Sequence, residues 1–298
     1  MSAEAVDVQA YMKDRATAVD AALERFLPPE TEAPATIHRA MRYSVFAGGK
    51  RLRPVLVIAG AEAVGGAMDP VLPAACAMEL IHTYSLVHDD LPARDNDDFR
   101  RGRPTSHKVF GDAMAILAGD GLLTLAFRLL GEHGPAGAEA LREVLIDIAD
   151  AAGTRGMVGG QVADIEAERK PVNAEMLDFI HVHKTAALIR TSLRVGARLS
   201  GATPAQVRAL SVAGESLGLA FQVVDDLLDV EGTTEELGKT AGKDQAQQKA
   251  TYPAVHGLDA SRVRARQLID EADAALGALG PAADPIRALG RFIVERKA

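Results

Sequence analysis

The stretch LVHDDLPARDNDDFRRGRPT, residues 86–105, sets a run of aspartates from Asp89 to Asp98 directly before Arg100, Arg101 and Arg103. A shorter echo, VDDLLDVEG at 224–232, again pairs two aspartates, Asp225 and Asp226, and adds Asp229. Asp225 and Asp229 are four apart and share one helical face. In the first motif Pro92 ends or distorts a helix, so Asp95 must return to Asp89 through a turn. Carboxylates held this close repel by up to about 1 kcal/mol even in solvated surroundings, and a cation removes that cost. An all-oxygen ligand set with no Cys or His favours Mg²⁺ over Zn²⁺, with water and substrate phosphate completing the octahedron. The candidate ligands are Asp89, Asp90, Asp95, Asp225, Asp226 and Asp229. Residues 95–100 do not begin an EF-hand loop, because Arg100 stands where that loop requires Gly.

The cations form the other half of the pattern. GGKRLRP (48–54) places Lys50, Arg51 and Arg53 in a glycine-started loop feeding a helix, an arrangement suited to an anion. Lys184 lies near the start of a helix in HVHKTAAL, and Lys239, Lys243 and Lys249 stud a later polar stretch. His82 is seven residues before Asp89, almost two turns, and shares its face. Carboxylates would hold a divalent metal, the metal would hold phosphate oxygens, and adjacent guanidinium groups would grip the same or a second phosphate.

The elements that position these groups read as helices almost throughout. Ala, Leu, Arg and Glu dominate, and no period-2 alternation is bounded by turn residues. Helices are predicted at 3–26, 35–47, 54–65, 70–91, 111–132, 137–152, 156–165, 174–183, 185–200, 204–230, 252–255, 259–279 and 284–296. The apolar pieces near 74–91 and 205–230 predict central helices. Residues 231–250, EGTTEELGKTAGKDQAQQKA, read as a long polar loop of the kind that is usually functional or disordered.

With 298 residues, length alone suggests two domains, but no linker divides the chain. Hydrophobic residues make up 48%, enough for a large core, and the net charge of −8 argues against nucleic acid or an anionic membrane surface as the main partner. Cys76 is the only cysteine, so no intramolecular disulfide forms. The acidic N-terminus lacks a signal-peptide n-region, and no apolar run approaches the roughly 18 residues of a spanning helix. The expectation is a cytoplasmic protein without membrane insertion.

The motifs GGKRLRP, LIHTYSLVHDDLPARDNDDFRRGRPT, GGQ (159–161), HKT (183–185), FQVVDDLLD and GKTAGKDQAQQKATYP occur in the order of the trans-prenyl diphosphate synthases. From about 37 to 298 the chain resembles the bacterial farnesyl diphosphate synthases most. That resemblance implies an all-α, single-domain helical bundle of the isoprenoid synthase type spanning 1–298, built around a deep central cavity and usually a homodimer, with a lid near 231–250. It implies three Mg²⁺ (Mn²⁺ as a substitute), with Asp89 and Asp95 on two metals, Asp225 on the third, and Asp90, Asp226 and Asp229 as further ligands or water-holders. Arg100, Lys184, Lys239 and Lys249 would neutralise an allylic diphosphate, and isopentenyl diphosphate would sit on Lys50, Arg53, His82 and Arg101. Thr185 and Gln222 would stabilise an allylic cation by their dipoles.

Product length is expected to be set at Tyr84, five residues before Asp89, with Ser85 nearly beneath that aspartate. An aromatic there, with the two-residue insertion in DDLPARD, resembles enzymes that stop at C15; C20 and C10 synthases are the near alternatives. Two departures from the family pattern stand out: Arg94 where relatives often have Met, and Asn96 where many have Asp. A terpene cyclase is disfavoured by the intact DDLLD and by Lys50, Arg53 and His82, and a non-catalytic partner subunit by two complete aspartate motifs.

Overall fold

The structure, a computed structural model, describes residues 6–134, 137–168, 170, 172–231 and 251–295. The expected lid and its Lys239, Lys243 and Lys249 lie outside these residues. Helix α1 (Val8–Phe26) starts at Asp7, whose Oδ1 accepts from the backbone N–H of Gln9 and Ala10 at 3.1 and 3.0 Å. Then come α2 (Ala35–Val45), α3 (Leu52–Glu62) and α4 (Leu72–Asp89). After a short β1–β2 ladder (Phe99–Arg100 and Arg103–Pro104) follow α5 (Ser106–Phe110), α6 (Asp112–His133), α7 (Ala138–Ala152), α8 (Met157–Ala167) and α9 (Ala174–Ile180). The rest comprises α10 (Ala187–Leu199), α11 (Pro204–Glu231), α12 (Tyr252–His256), α13 (Leu258–Ala275) and α14 (Asp284–Glu295).

Two apolar clusters make the core. One gathers α4, α6 and α7, including Met78, Leu80, Ile81, Leu122 and Ile148. The other gathers α11, α13 and α14, including Leu210, Leu217, Leu268 and Ile286. Helices α3 and α10 join them, because Val57, Ile58, Leu188 and Val195 face the first cluster while Leu56, Ala59, Ile189 and Leu193 face the second. This split-faced burial is why α3 reads as apolar nearly all round, whereas α10 keeps a third face for Arg190, Arg194 and Arg198. The two aspartate-bearing helices, α4 and α11, thus stand on opposite sides of a shared partition.

Four details differ from the sequence reading. Where a break was expected between 183 and 185, α9 runs through a π-helical stretch, His181–Ala186, into α10. The two-residue strands and α5 were not foreseen, being too short to carry a periodicity. The helix expected to run to 279 ends at Ala275 and passes into a 3₁₀ stretch, Leu276–Ala283, containing Pro281. Finally, Asp112–His133 and Pro204–Val230 are each long and apolar enough, by length and composition, to cross a membrane, against the expectation that no run reached that length. Small apolar residues with few charges give them this hydropathy. Here α6 packs along α4, and α11 packs against α10 and α13.

Candidate active site

The first aspartate motif is a closed turn. Helix α4 ends at Asp89, and the backbone N–H groups of Asp95, Asn96 and Asp97 donate to the carbonyls of Asp89, Leu91 and Asp90 at 3.0, 3.1 and 3.2 Å. Asn96 takes a left-handed φ of 49°, which Asn tolerates well, and so reverses the chain. The hairpin behind it turns on Arg101 and Gly102, both with positive φ (53° and 74°), as a two-residue β-turn requires. The hairpin carries Arg100 back onto Asp90: Nε donates to Oδ1 and Oδ2 at 2.8 and 3.0 Å, and a terminal nitrogen donates to Oδ1 at 2.6 Å. Burial works against the guanidinium, but Asp90, with Asp97 and Asp89 behind it, outweighs burial and raises its pKa. Acid directly before base in the sequence therefore closes locally, and Asp90 is committed to holding Arg100.

Asp89 has different partners. Gln161 on α8 donates its amide N–H to Asp89 Oδ1 at 2.9 Å, and Arg94 forms an ion pair with the same oxygen. Burial raises the Asp89 carboxyl above the usual aspartate value, with Arg94 and Lys184 opposing. One turn beyond Gln161, Asp164 accepts from Lys184 Nζ at 2.5 Å. Burial disfavours the ammonium, yet Asp164, with Asp89 and Asp95 beyond it, lifts its pKa above that of an ordinary lysine. This contact requires a glycine: a Cβ on Gly160 would lie 2.3 Å from the Lys184 backbone nitrogen. The π-helical stretch then turns Thr185 toward α11, where its hydroxyl donates to Gln222 Oε1 at 2.7 Å. Gln222 donates in turn to Asp226 Oδ1 at 2.8 Å. π-helical turns are often found at functional sites, since one extra residue re-aims the side chains that follow.

The second motif repeats the logic of the first. Asp226 is buried, accepting from Gln222 on one oxygen and from the Tyr252 backbone N–H at 2.7 Å on the other, with His181 Nε2 at 3.4 Å. In each Asp–Asp pair the second member is thus a structural anchor. A chain of contacts, Asp89–Gln161 and Lys184–Asp164 through Thr185–Gln222–Asp226, brings the two motifs to one end of the bundle. Phe221, Asp225 and Asp229 follow one i, i+4 row of α11, while Gln222 and Asp226 follow the adjacent row.

Beside the acidic end is a basic pocket. A cavity of about 310 Å³ is lined by Lys50, Arg53, His82, Arg101 and Phe221, among others. Burial lowers the Arg53 pKa to about 10, so the group remains charged at neutral pH. Its Nε is buried and makes no hydrogen bond among the described residues, a donor that an anion would satisfy. Burial, with Arg53 and Arg101 nearby, pushes His82 well below the ordinary histidine value, so the ring is neutral and can donate a hydrogen bond without adding charge. Arg101 donates to the Gly48 carbonyl, packing its guanidinium against Gly49.

Arg51 departs from the sequence expectation. Although it borders this pocket, its guanidinium is already spoken for: it is buried, bonding Asp20 at 2.8 Å, Glu79 at 2.7 Å and the Val45 carbonyl at 2.8 Å. It stands at the N-cap of α3 with a left-handed φ of 49°. Tyr84 is buried in α4, its ring edge-on to His88 at 5.7 Å, while Ser85 Oγ donates within its own helix to the His82 carbonyl at 2.8 Å. The residues missed by sequence reasoning are Asp164, His181 and Glu79, together with the role of Gln161. Only the i, i+3 spacing of Gln161 and Asp164 after the GGQ motif offered a signal.

Among the described residues, no three Asp, Glu, His or Cys side chains converge into a self-sufficient metal site. The carboxylate oxygens of Asp89 and Asp225 are the kind of hard donor that Mg²⁺ takes one or two at a time, with water and phosphate in its remaining positions.

A sequence model of the polyprenyl synthetase family matches residues 34–277. This chain belongs to the polyprenyl synthetase family. It is 50% identical over 257 residues to a farnesyl diphosphate synthase of Geobacillus stearothermophilus, covering 85% of this chain and 86% of the relative. It is 48% identical over 295 residues to a putative chloroplastic geranylgeranyl pyrophosphate synthase of Arabidopsis thaliana, covering 97% and 81%. Among solved structures, the geranylgeranyl pyrophosphate synthetase of Pyrococcus horikoshii superposes with a TM-score of 0.90 at 33% identity, covering 98% of this chain and 99% of that one. In this polyprenyl synthetase, the all-α isoprenoid synthase fold expected from the sequence is the fold found.

Proposed function

We propose that this polyprenyl synthetase is a Mg²⁺-dependent enzyme that joins isopentenyl diphosphate head to tail with dimethylallyl or geranyl diphosphate and stops at C15. The observation that carries the reading is the pairing of an acidic end with a basic pocket beside it: Arg101 of the pocket follows Arg100, which holds Asp90, and Asp225 acts on the pocket's Arg53. One anion-binding half would serve a binding protein, whereas two adjacent and chemically different halves suit a two-diphosphate condensation. Bound Mg²⁺ would supply the positive charge that a departing pyrophosphate needs, with Asp89, Asp95 and Asp225 holding it and Asp229 beside them. Asp90 and Asp226 keep the motifs in shape. Lys184 and Arg100 add fixed positive charge where the leaving group develops negative charge.

The homoallylic diphosphate would sit on Lys50, Arg53 and Arg101, with the neutral His82 as a donor. The oxygens of Thr185 and Gln222 would offer the negative ends of their dipoles to the allylic cation. No side chain here is an obvious strong base, so pyrophosphate would take the proton released when the new double bond forms.

The C15 limit rests on Tyr84, five residues and about 7.5 Å along α4 from Asp89. Relatives carry both farnesyl and geranylgeranyl names, so C20 is the rival. Incubation with isopentenyl and geranyl diphosphates, followed by dephosphorylation, is expected to yield farnesol as the terminal alcohol. Tyr84→Ala is expected to shift the product to C20 and beyond. Geranylgeraniol from the unaltered protein would overturn the C15 assignment and leave the condensation chemistry standing.

A second copy of the chain is the proposed partner. On α6, Ile116 and Leu117 are 44% and 53% exposed, in a helix of high mean hydropathy that is only partly buried. Adjacent large apolar side chains left in water on a core helix are what a partner surface would cover. Sedimentation equilibrium should give twice the chain mass, and Leu117→Glu should halve it.

A further inference from the structure

Arg94 sits in the turn between Asp89 and Asp95, and its side chain is 24% exposed. Its guanidinium pairs with Asp89 Oδ1, the oxygen that also accepts from Gln161. Its Nε is buried and makes no hydrogen bond among the described residues. Of the charged groups acting on Asp89, Arg94 is the strongest, ahead of Lys184 and Arg100, although burial outweighs them all. The carboxylate therefore already has a cation on it, supplied by its own turn.

We propose that Arg94 is a built-in counter-ion of Asp89, a positioning residue that orients the carboxylate in the substrate-free protein and competes with the divalent cation for it. The proposal rests on the reading of Asp89 as a metal ligand. A guanidinium and a metal on one carboxylate would lie within about 5 Å of each other, where two positive charges repel appreciably at any plausible protein dielectric. The guanidinium must then withdraw before the metal binds well, which weakens binding of metal alone. A diphosphate changes the balance, because its oxygens give the displaced guanidinium a bidentate partner, including for the unsatisfied Nε. Metal and diphosphate would consequently bind as a linked pair, each strengthening the other by the same factor. This would keep the site from loading metal without substrate.

The test is Mn²⁺ binding, followed by electron paramagnetic resonance or calorimetry, with and without inorganic pyrophosphate. It compares the unaltered protein with Arg94→Met, Arg94→Lys and Asp89→Asn, each first checked for native circular dichroism. Without pyrophosphate, Arg94→Met is expected to bind Mn²⁺ about tenfold more tightly or better, since the competing charge is gone. Arg94→Lys keeps the charge and should stay near the unaltered affinity. Pyrophosphate should strengthen Mn²⁺ binding more in the unaltered protein than in Arg94→Met. Equal or weaker Mn²⁺ affinity in Arg94→Met, with Asp89→Asn impaired, would overturn the counter-ion role and leave the metal site standing. Equal tightening in Arg94→Lys would also overturn it, because charge would not be the cause. Undiminished Mn²⁺ binding in Asp89→Asn, or no binding by any of the proteins, would remove the metal reading and the proposal with it.

Discussion

Asp89→Asn is expected to lower the condensation rate by at least about 10³-fold, the scale on which losing one electrostatic stabiliser of a developing anion is felt. The substitution is nearly isosteric. The Asn carbonyl can still accept from Gln161 Nε2, now at 2.9 Å from Asp89 Oδ1, so α8 keeps its place against α4. What disappears is the charge that would hold a cation near the leaving pyrophosphate. A matched Asp90→Asn change should act differently, since Asp90 bonds Arg100 through both oxygens. It is expected to loosen the hairpin and leave a half-buried guanidinium without its carboxylate, so its loss of activity should come with a loss of stability. Steady-state release of pyrophosphate, alongside urea denaturation, separates the two. An Asp89→Asn protein retaining a tenth or more of normal activity would remove Asp89 from the metal-holding role.

Glu79→Ala is expected to destabilise the fold by about 3–5 kcal/mol, the usual cost of stripping one partner from a buried ion pair. Glu79 and Arg51 are each only 2% exposed at the side chain and are 2.7 Å apart. Without Glu79 the guanidinium keeps Asp20 and the Val45 carbonyl, which places the cost toward the lower end of that range. Replacing both partners, as Arg51→Met with Glu79→Leu, should recover most of the loss, because the penalty lies in the unpaired charge rather than in the missing attraction. The urea midpoint should fall in the single variant with little change in slope. The single variant should also bind isopentenyl diphosphate more weakly, since Arg51 caps the helix that presents Arg53. A single variant within 1 kcal/mol of the unaltered protein would show that water reaches Arg51.

Much of this molecule was legible before any coordinates. The helical class follows from a composition dominated by Ala, Leu, Arg and Glu and from the lack of period-2 alternation bounded by turn residues. The carboxylates and cations of the site were identifiable because charge is costly to concentrate, and Asp89–Asp98 followed by Arg100, Arg101 and Arg103 concentrates both signs within fifteen residues. Less legible were the short elements. A two-residue strand or a single π-helical turn carries too few side chains to show a period, and each is held by contacts with distant residues.

Sequence alone therefore singled out the residues proposed to carry the chemistry and showed that helices display them, since residue type and helix-forming composition are local properties. Only the tertiary structure decided their division of labour. Asp89 and Asp90 are adjacent and chemically identical, yet one meets Gln161 and Arg94 and the other Arg100. Arg51 and Arg53 stand two residues apart and both border the basic pocket, yet one guanidinium is locked on Glu79 and the other has a buried Nε with no hydrogen bond among the described residues. Such choices depend on which helix, brought from far along the chain, supplies the partner. Burial then fixes the outcome, because a charge removed from water must be met by whatever the fold has placed beside it.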